Sequence, residues 1–391
     1  MKKLLLNLII ILSVVCVTCF TGCKEKPQPQ PHQHCWNNEL SSDENGHWYA
    51  CIGCNEKNGF NVHDGAICIN CGYNDGTITT WSGTQSQNLP EIVENVLTIT
   101  TAEELANFSA SVNAGTDYKG VTVTLANDIN LDNKAWTPIG NSTNKFKGTF
   151  DGNNKTIYNL TAGATNQSNV GLFGFTTDGE IKNLTVINAT ITGRLAVGVV
   201  AGTPYTSKYT NITVKGLVKV EGLAYVGGVL GRNLYANATN ITVDVLEGSY
   251  VKAHSIENET AYRTYVGGVI GFMGEGNHTV SNVTSNINVY GSTLDVGGIT
   301  GIAHYGNSFI NCSVNANVSI YSGDQEDPLE IGGIAGVWHN GGTDVIFENC
   351  SYNGNLYITY ADGSSFEGSF ANNRLCGVAY SASGNGQLII R

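Results

Sequence analysis

The chain has 391 residues, 41 % hydrophobic and only 13 % charged, a composition that excludes both a disordered chain and a membrane bundle. Its 48 glycines, frequent Asn, Thr and Val, and only 2 methionines favour short strands and tight turns over helices. The net charge of −12 is spread along the chain without a basic cluster, which argues against nucleic acid as a partner.

Residues 1–22 join a basic start at Lys2 and Lys3 to an apolar run from Leu4 to Val17 and a small-residue end, the layout of an export signal. The run is shorter than the roughly 20 residues of a comfortable membrane span. Phe20-Thr21-Gly22-Cys23 resembles the bacterial lipobox. That resemblance implies cleavage before Cys23, acylation of this cysteine, and a membrane-anchored lipoprotein on the cell surface. A plain secretory signal or an uncleaved anchor is the alternative. Residues 23–31 carry Pro27, Pro29 and Pro31 and read as an extended tether behind the anchor.

Residues 32–75 form a small Cys/His module. Cys51-Ile-Gly-Cys54 and Cys68-Ile-Asn-Cys71 are two Cys-x-x-Cys knuckles at the separation expected of a structural zinc site. So small a unit needs a staple. Four thiolates, Cys51, Cys54, Cys68 and Cys71, are the first choice of ligands. The stretch also resembles zinc-ribbon-like modules of exported bacterial proteins, in which His can replace Cys, and this makes His47 and His63 alternates. Two disulfides are the competing reading, since export favours oxidation.

Residues 76–97 read as a polar linker. Thr101-Ala-Glu-Glu104 has the form of a capping box opening a short helix to about Val112, and Val121 to Leu125 alternates as a strand. From there one theme recurs. Val170-Gly-Leu-Phe-Gly174 returns with starts at Val197, Val226, Val266, Val296 and Ile331, mostly as Val-Gly-Gly-x-x-Gly. Each copy is followed by Asn, an apolar residue or Cys, then Thr or Ser, at Asn183, Asn211, Asn240, Asn282, Asn311 and Asn349. Periods of this size mean a solenoid, in which each unit is too small to bury a face and must stack on its neighbours. Glycine suits its tight corners, and stacked Asn suits an amide ladder or a left-handed turn. The helix near Thr101 would cap the open end.

These motifs resemble the GLUG repeat of bacterial surface proteins. The resemblance implies an all-β, right-handed parallel β-helix over residues 98–391, with a short N-terminal capping helix. Such repeats also accompany surface proteases, yet this chain contains no His-Glu-x-x-His helix and no Gly-x-Ser-x-Gly elbow. Asp151, Asp178, Asp244, Asp295 and Asp344 fall at different repeat phases and are not expected to converge. Asp324, Glu326, Asp327 and Glu330 cluster in an insert; a solvated loop is preferred there to a calcium site. Cys312 and Cys350 occupy one repeat phase and should stack, as a disulfide or as thiols.

The loop after each glycine motif carries aromatic residues or His, among them Tyr205, Tyr235, His304, Tyr305, Trp338 and His339. Equal phase in a solenoid means one edge, and an aromatic edge suits a glycan or a protein ligand. The competing reading is that these rings close the core. The expectation is therefore a non-enzymatic surface adhesin or binding scaffold. A carbohydrate-active lyase or hydrolase and a structural envelope protein are the alternatives.

Overall fold

The structure is a computed structural model that describes residues 35–52, 54, 56–63, 65–71, 73–254, 263–292, 295–322, 330–339, 341–360, 365–367, 375–376, 379–380 and 387–390. The expected signal, tether and lipidation residue Cys23 lie outside the described residues, as do Asp324, Glu326 and Asp327 of the acidic insert. The chain divides into two compact units, Met1–Asp75 and Gly76–Arg391.

The first unit is an antiparallel sheet of Trp36–Asp43, Gly46–Cys51 and Lys57–Asn61. Asp43 turns the chain between the first two strands: its Oδ1 accepts from the Asn45 and Gly46 amides at 2.8 and 3.3 Å.

The second unit is a parallel β-helix. Among the described residues, coil stacks on coil through three sets of parallel strands. One set has five short strands, from Leu195–Gly198 to Ile331–Gly332, built from the Val-Gly start of each repeat. A second has seven, from Phe173–Thr177 to Ala379–Tyr380. The third contains the long bent strands Glu180–Thr192 and Lys208–Gly222 and their partners.

The repeat arithmetic becomes register. Val226 pairs with Val266, Val266 with Val296, and Val296 with Ile331, so even the 40-residue period is absorbed outside the ladder. Inward positions form apolar stacks, such as Leu184, Ile212, Ile241, Val283 and Cys312, all essentially buried. The middle glycine of the motif is required by coil-to-coil contact. A Cβ on Gly228 would stand 2.1 Å from the Gly268 carbonyl oxygen, and one on Gly298 would stand 2.1 Å from that of Gly333.

The asparagine motif makes a continuous side-chain ladder. Asn183, Asn211, Asn240, Asn282, Asn311 and Asn349 each donate Nδ2 to the coil before, at 2.8–3.3 Å. All six sit at φ between 52° and 57°, the left-handed region Asn tolerates best after Gly. The ladder begins at Asp151, whose Oδ1 accepts from Asn183. Because every rung donates backwards, its first member need only accept, and a carboxylate does that.

The N-terminal end is closed by the helix Ala102–Asn113. Its capping box is formed: the Glu104 amide donates to Thr101 Oγ1 at 3.2 Å, and Glu104 Oε2 accepts from the Thr101 amide at 3.3 Å. Leu105, Phe108 and Val112 are fully buried, and Phe108 meets Tyr118, Phe146 and Phe150 at ring centroids of 4.9–6.4 Å. Part of the expected linker is folded as well. Trp81 is buried edge-on against Trp136 at 5.8 Å, and its amide donates to the Asn130 carbonyl at 3.0 Å.

Candidate functional site

In the first unit, the ligand atoms of His47, His63, Cys68 and Cys71 lie within 4.8 Å of one another. Cys68 Sγ is 3.6 Å from His47 Nδ1, and Cys71 Sγ is 3.5 Å from His63 Nδ1. A tetrahedral ion with M–S of about 2.3 Å and M–N of about 2.1 Å would place S and N about 3.6 Å apart. His63 Nε2 donates to the Asp43 carbonyl at 2.6 Å, which leaves the Nδ1 lone pair directed at the thiols. This backbone bond, then the Cys68 thiol, raises the His63 pKa. Burial opposes ionisation of Cys68, but hydrogen bonds from His63 and the Cys71 and Asn70 amides outweigh it and hold the thiol below its ordinary pKa. The group can therefore bind a metal ion.

This is not the four-thiolate set expected from spacing. The two alternates, His47 and His63, join Cys68 and Cys71, while Cys51 and Cys54 stand outside the group. The reason is geometric. His47 and Cys51 are four residues apart on one strand, about 13 Å at 3.3 Å per residue, so they cannot reach a common ion. His47 is turned into the module and is 4 % exposed. Cys51 ends the strand, where its amide donates to the Glu56 carbonyl at 3.0 Å.

In the second unit, the structure divides the expected aromatic edge. Tyr205 and Tyr235 are exposed, at 39 % and 37 %, with rings 5.5 Å apart and nearly perpendicular. Tyr235 continues to His278 at 5.6 Å. Tyr305 donates its hydroxyl to Glu275 and lies 5.9 Å from the His339 ring. His304 and His339 face each other with Nδ1 atoms 2.9 Å apart; burial first, then His339, lowers the His304 pKa to about 4, so the pair is neutral at pH 7. Trp338 is half-buried and packs on the core, as the competing reading required. Beside Tyr305 and His278 opens a groove of about 490 Å³ lined by Asn277, Thr279, Ser308, Thr343 and Asp344.

Other members of this surface were missed. Tyr225 and Tyr265 stack at 5.5 Å and 8°, and the Arg232 guanidinium lies 5.1 Å from the Tyr225 ring. Both tyrosines directly precede a Val-Gly-Gly motif, and that shared place was their signal. Asp295 and Glu330 hold the same place in the next two copies. The expectation of a solvated loop is corrected at Glu330, which is buried with Asp295 on Arg263. Arg263 Nη2 donates to Asp295 Oδ1 at 3.2 Å and also to Glu330, and Nε donates to Asp295. Burial, working against Arg263, drives the Asp295 carboxyl up to about 8. With Asp295 fully buried, the cluster ties coils together and presents no acid to a polymer.

Cys312 and Cys350 do stack in neighbouring coils, with no disulfide between them. Among the described residues, no helix is long and apolar enough to cross a membrane.

No family model matches the chain. Over 104 residues, 26 % of its length, it is 39 % identical to halomucin of Haloquadratum walsbyi. Over 211 residues, 52 % of its length, it is 28 % identical to an immunoglobulin A1 protease of Streptococcus sanguinis. It spans only 1 % and 10 % of those two relatives. A crystal structure from Bacteroides ovatus, described as a candidate immunoglobulin A1 protease, shares the fold: the TM-score is 0.52 at 18 % identity, covering 75 % of this chain and 84 % of that one. These matches overturn the expectation that the chain is not an enzyme. A sequence relative and a structural neighbour both bear a protease name, so the lack of a familiar catalytic motif does not set the chain apart from enzymes.

Proposed function

We propose that this chain is an exported, lipid-anchored surface protein whose β-helix holds an extracellular glycan along its aromatic edge. The observation that carries this reading is the exposed Tyr205–Tyr235 pair on the same edge as the polar groove beside Tyr305. Flat rings suit the apolar faces of sugars, and Asn277, Asp344 and the nearby hydroxyls suit their OH groups. The lipobox-like Cys23 supports the anchor, and the metal in the first unit is a structural zinc: two thiolates and two imidazoles at tetrahedral spacing leave no open position. The protease names of two matches favour a second reading, in which the edge receives a protein substrate.

The test is a glycan and extracellular-protein array, immunoglobulin A1 included, probed with the chain lacking residues 1–22. Saturable glycan binding that is lost in Tyr205→Ala/Tyr235→Ala, with an unchanged thermal melt, is the expected result. Binding or cleavage of a protein alone supports the second reading. Binding that ignores the tyrosine variant would remove this edge from consideration.

A further inference from the structure

We propose that Cys51 and Cys54 are a separate redox unit of the first domain, a dithiol that closes to a disulfide while His47, His63, Cys68 and Cys71 hold the metal. The inference rests on the metal reading above and extends it to the other Cys-x-x-Cys pair. Cys51 ends the strand Gly46–Cys51, and Cys54 lies between it and Lys57–Asn61. The Cys51 amide donates to the Glu56 carbonyl at 3.0 Å, and the Ile52 amide donates to the Cys35 carbonyl at 2.8 Å. Within this frame the two thiols are neighbours separated by two residues in Cys-x-x-Cys; the Glu56 amide favours the Cys54 thiolate, but burial and the Cys51 thiol outweigh it and raise the Cys54 thiol. Reagents can reach the pair from the side of Ile52, which is 71 % exposed, and Cys54, which is half-buried. Strand geometry excludes Cys51 from any metal that His47 binds, so the pair is not competing for the ion. An exported protein meets oxidants of the disulfide class.

The chemistry is thiol–disulfide exchange. Cys54, the less buried of the two, attacks one sulfur of a small disulfide once deprotonated and expels a thiolate. Cys51 then attacks the Cys54 sulfur of the mixed disulfide and expels the second. Two electrons pass to the reagent, the Cys51–Cys54 bond forms, and the two protons end on the two released thiols. Cys68 and Cys71, as metal thiolates, are shielded from the same reagent.

The experiment uses the whole chain purified with zinc and treated with oxidised glutathione. Zinc is measured by atomic emission, and cysteine pairing by non-reducing peptide mass mapping. The expected result is a Cys51–Cys54 disulfide with equimolar zinc retained. Cys51→Ser/Cys54→Ser should keep its zinc, and Cys68→Ser/Cys71→Ser should lose it. Loss of zinc from Cys51→Ser/Cys54→Ser would restore the four-thiolate site and overturn the proposal. If that variant fails to fold, the wild-type map decides: persistent thiols at 51 and 54, or pairing with other cysteines, overturns it equally. A folded wild-type chain without zinc would sink the metal reading itself, and with it this division of the six side chains.

Discussion

Replacing Asn240 separates the two terms that hold a coil corner together. The Asn240 amide donates to Asn211 Oδ1 at 2.9 Å and accepts from Asn282 at 3.0 Å, while its backbone sits at φ 57°. Asn240→Ala removes both bonds, at about 0.5–1 kcal/mol each on an exposed edge. It also forces a Cβ-bearing residue without a helpful side chain into the left-handed region, at about 1–2 kcal/mol. The expected loss is about 3 kcal/mol, or roughly 6 °C at about 2 °C per kcal/mol for a unit of this size. Asn240→Gly removes the same bonds but accepts the backbone, and should recover about 1 kcal/mol relative to Ala. Asn240→Asp keeps the acceptor for Asn282 but sets a carboxylate against the Asn211 carbonyl oxygen, so it should also destabilise. The same exchange is already tolerated at Asp151, which begins the ladder and need only accept. Thermal melts followed by circular dichroism measure all three. Equal destabilisation by Gly and Ala would refute the backbone term, and losses below about 0.5 kcal/mol in both would show that the ladder adds nothing.

The corner cluster should titrate. The Asp295 carboxyl is raised from 3.8 to about 8, so the folded state holds a proton that the unfolded state releases in this window. Its stabilising contribution is complete below about pH 4 and falls as pH rises to about 8, and Asp295→Asn should flatten that slope in melts run across the range. Arg263→Met leaves the buried Asp295 and Glu330 side chains without their cationic donor and should cost about 3–5 kcal/mol in a denaturant titration at pH 8. Phe108→Ala empties the aromatic contact beneath the capping helix and should cost about 3–5 kcal/mol; aggregation measured by light scattering should rise as the coil end opens. A strong chelator should remove amide-exchange protection from Gly46–Cys51 and leave that of Lys208–Gly222 unchanged.

Much of the fold was legible because a solenoid writes its register into the sequence. Val-Gly-Gly marks a corner where the coil below leaves no space for a Cβ, and Asn marks one where the backbone is left-handed and a side chain must bridge coils. Both demands recur in every coil, so both residues recur. The capping box of Thr101 and Glu104 was legible for the opposite reason, since it is local and needs no knowledge of the rest. Trp81 was not. It belongs to a polar stretch without periodicity, and only the first coil, through Asn130 and Trp136, shows why an indole is needed there.

Which of the named Cys and His side chains would share an ion, and the corner cluster as a whole, were not legible for a shared physical cause: sequence spacing reports distance along the chain, and side chains meet across it. The Cys-x-x-Cys spacing proposed two equivalent knuckles, yet a strand running from His47 to Cys51 can present only one of its ends to an ion. At the corner before each glycine motif, the residues run Asn169, Ala196, Tyr225, Tyr265, Asp295 and Glu330. Four of them, Asn169, Ala196, Tyr225 and Asp295, have φ between 58° and 66°, so the geometry repeats while the chemistry changes. A search for repeated residues passes over such a position. The uniform positions build the β-helix, and they could be exchanged between coils with little effect. The non-uniform ones, at the same corner of successive coils, hold the stacked tyrosines and the Arg263 cluster, so that is where one coil of this chain differs from the next in what it can bind.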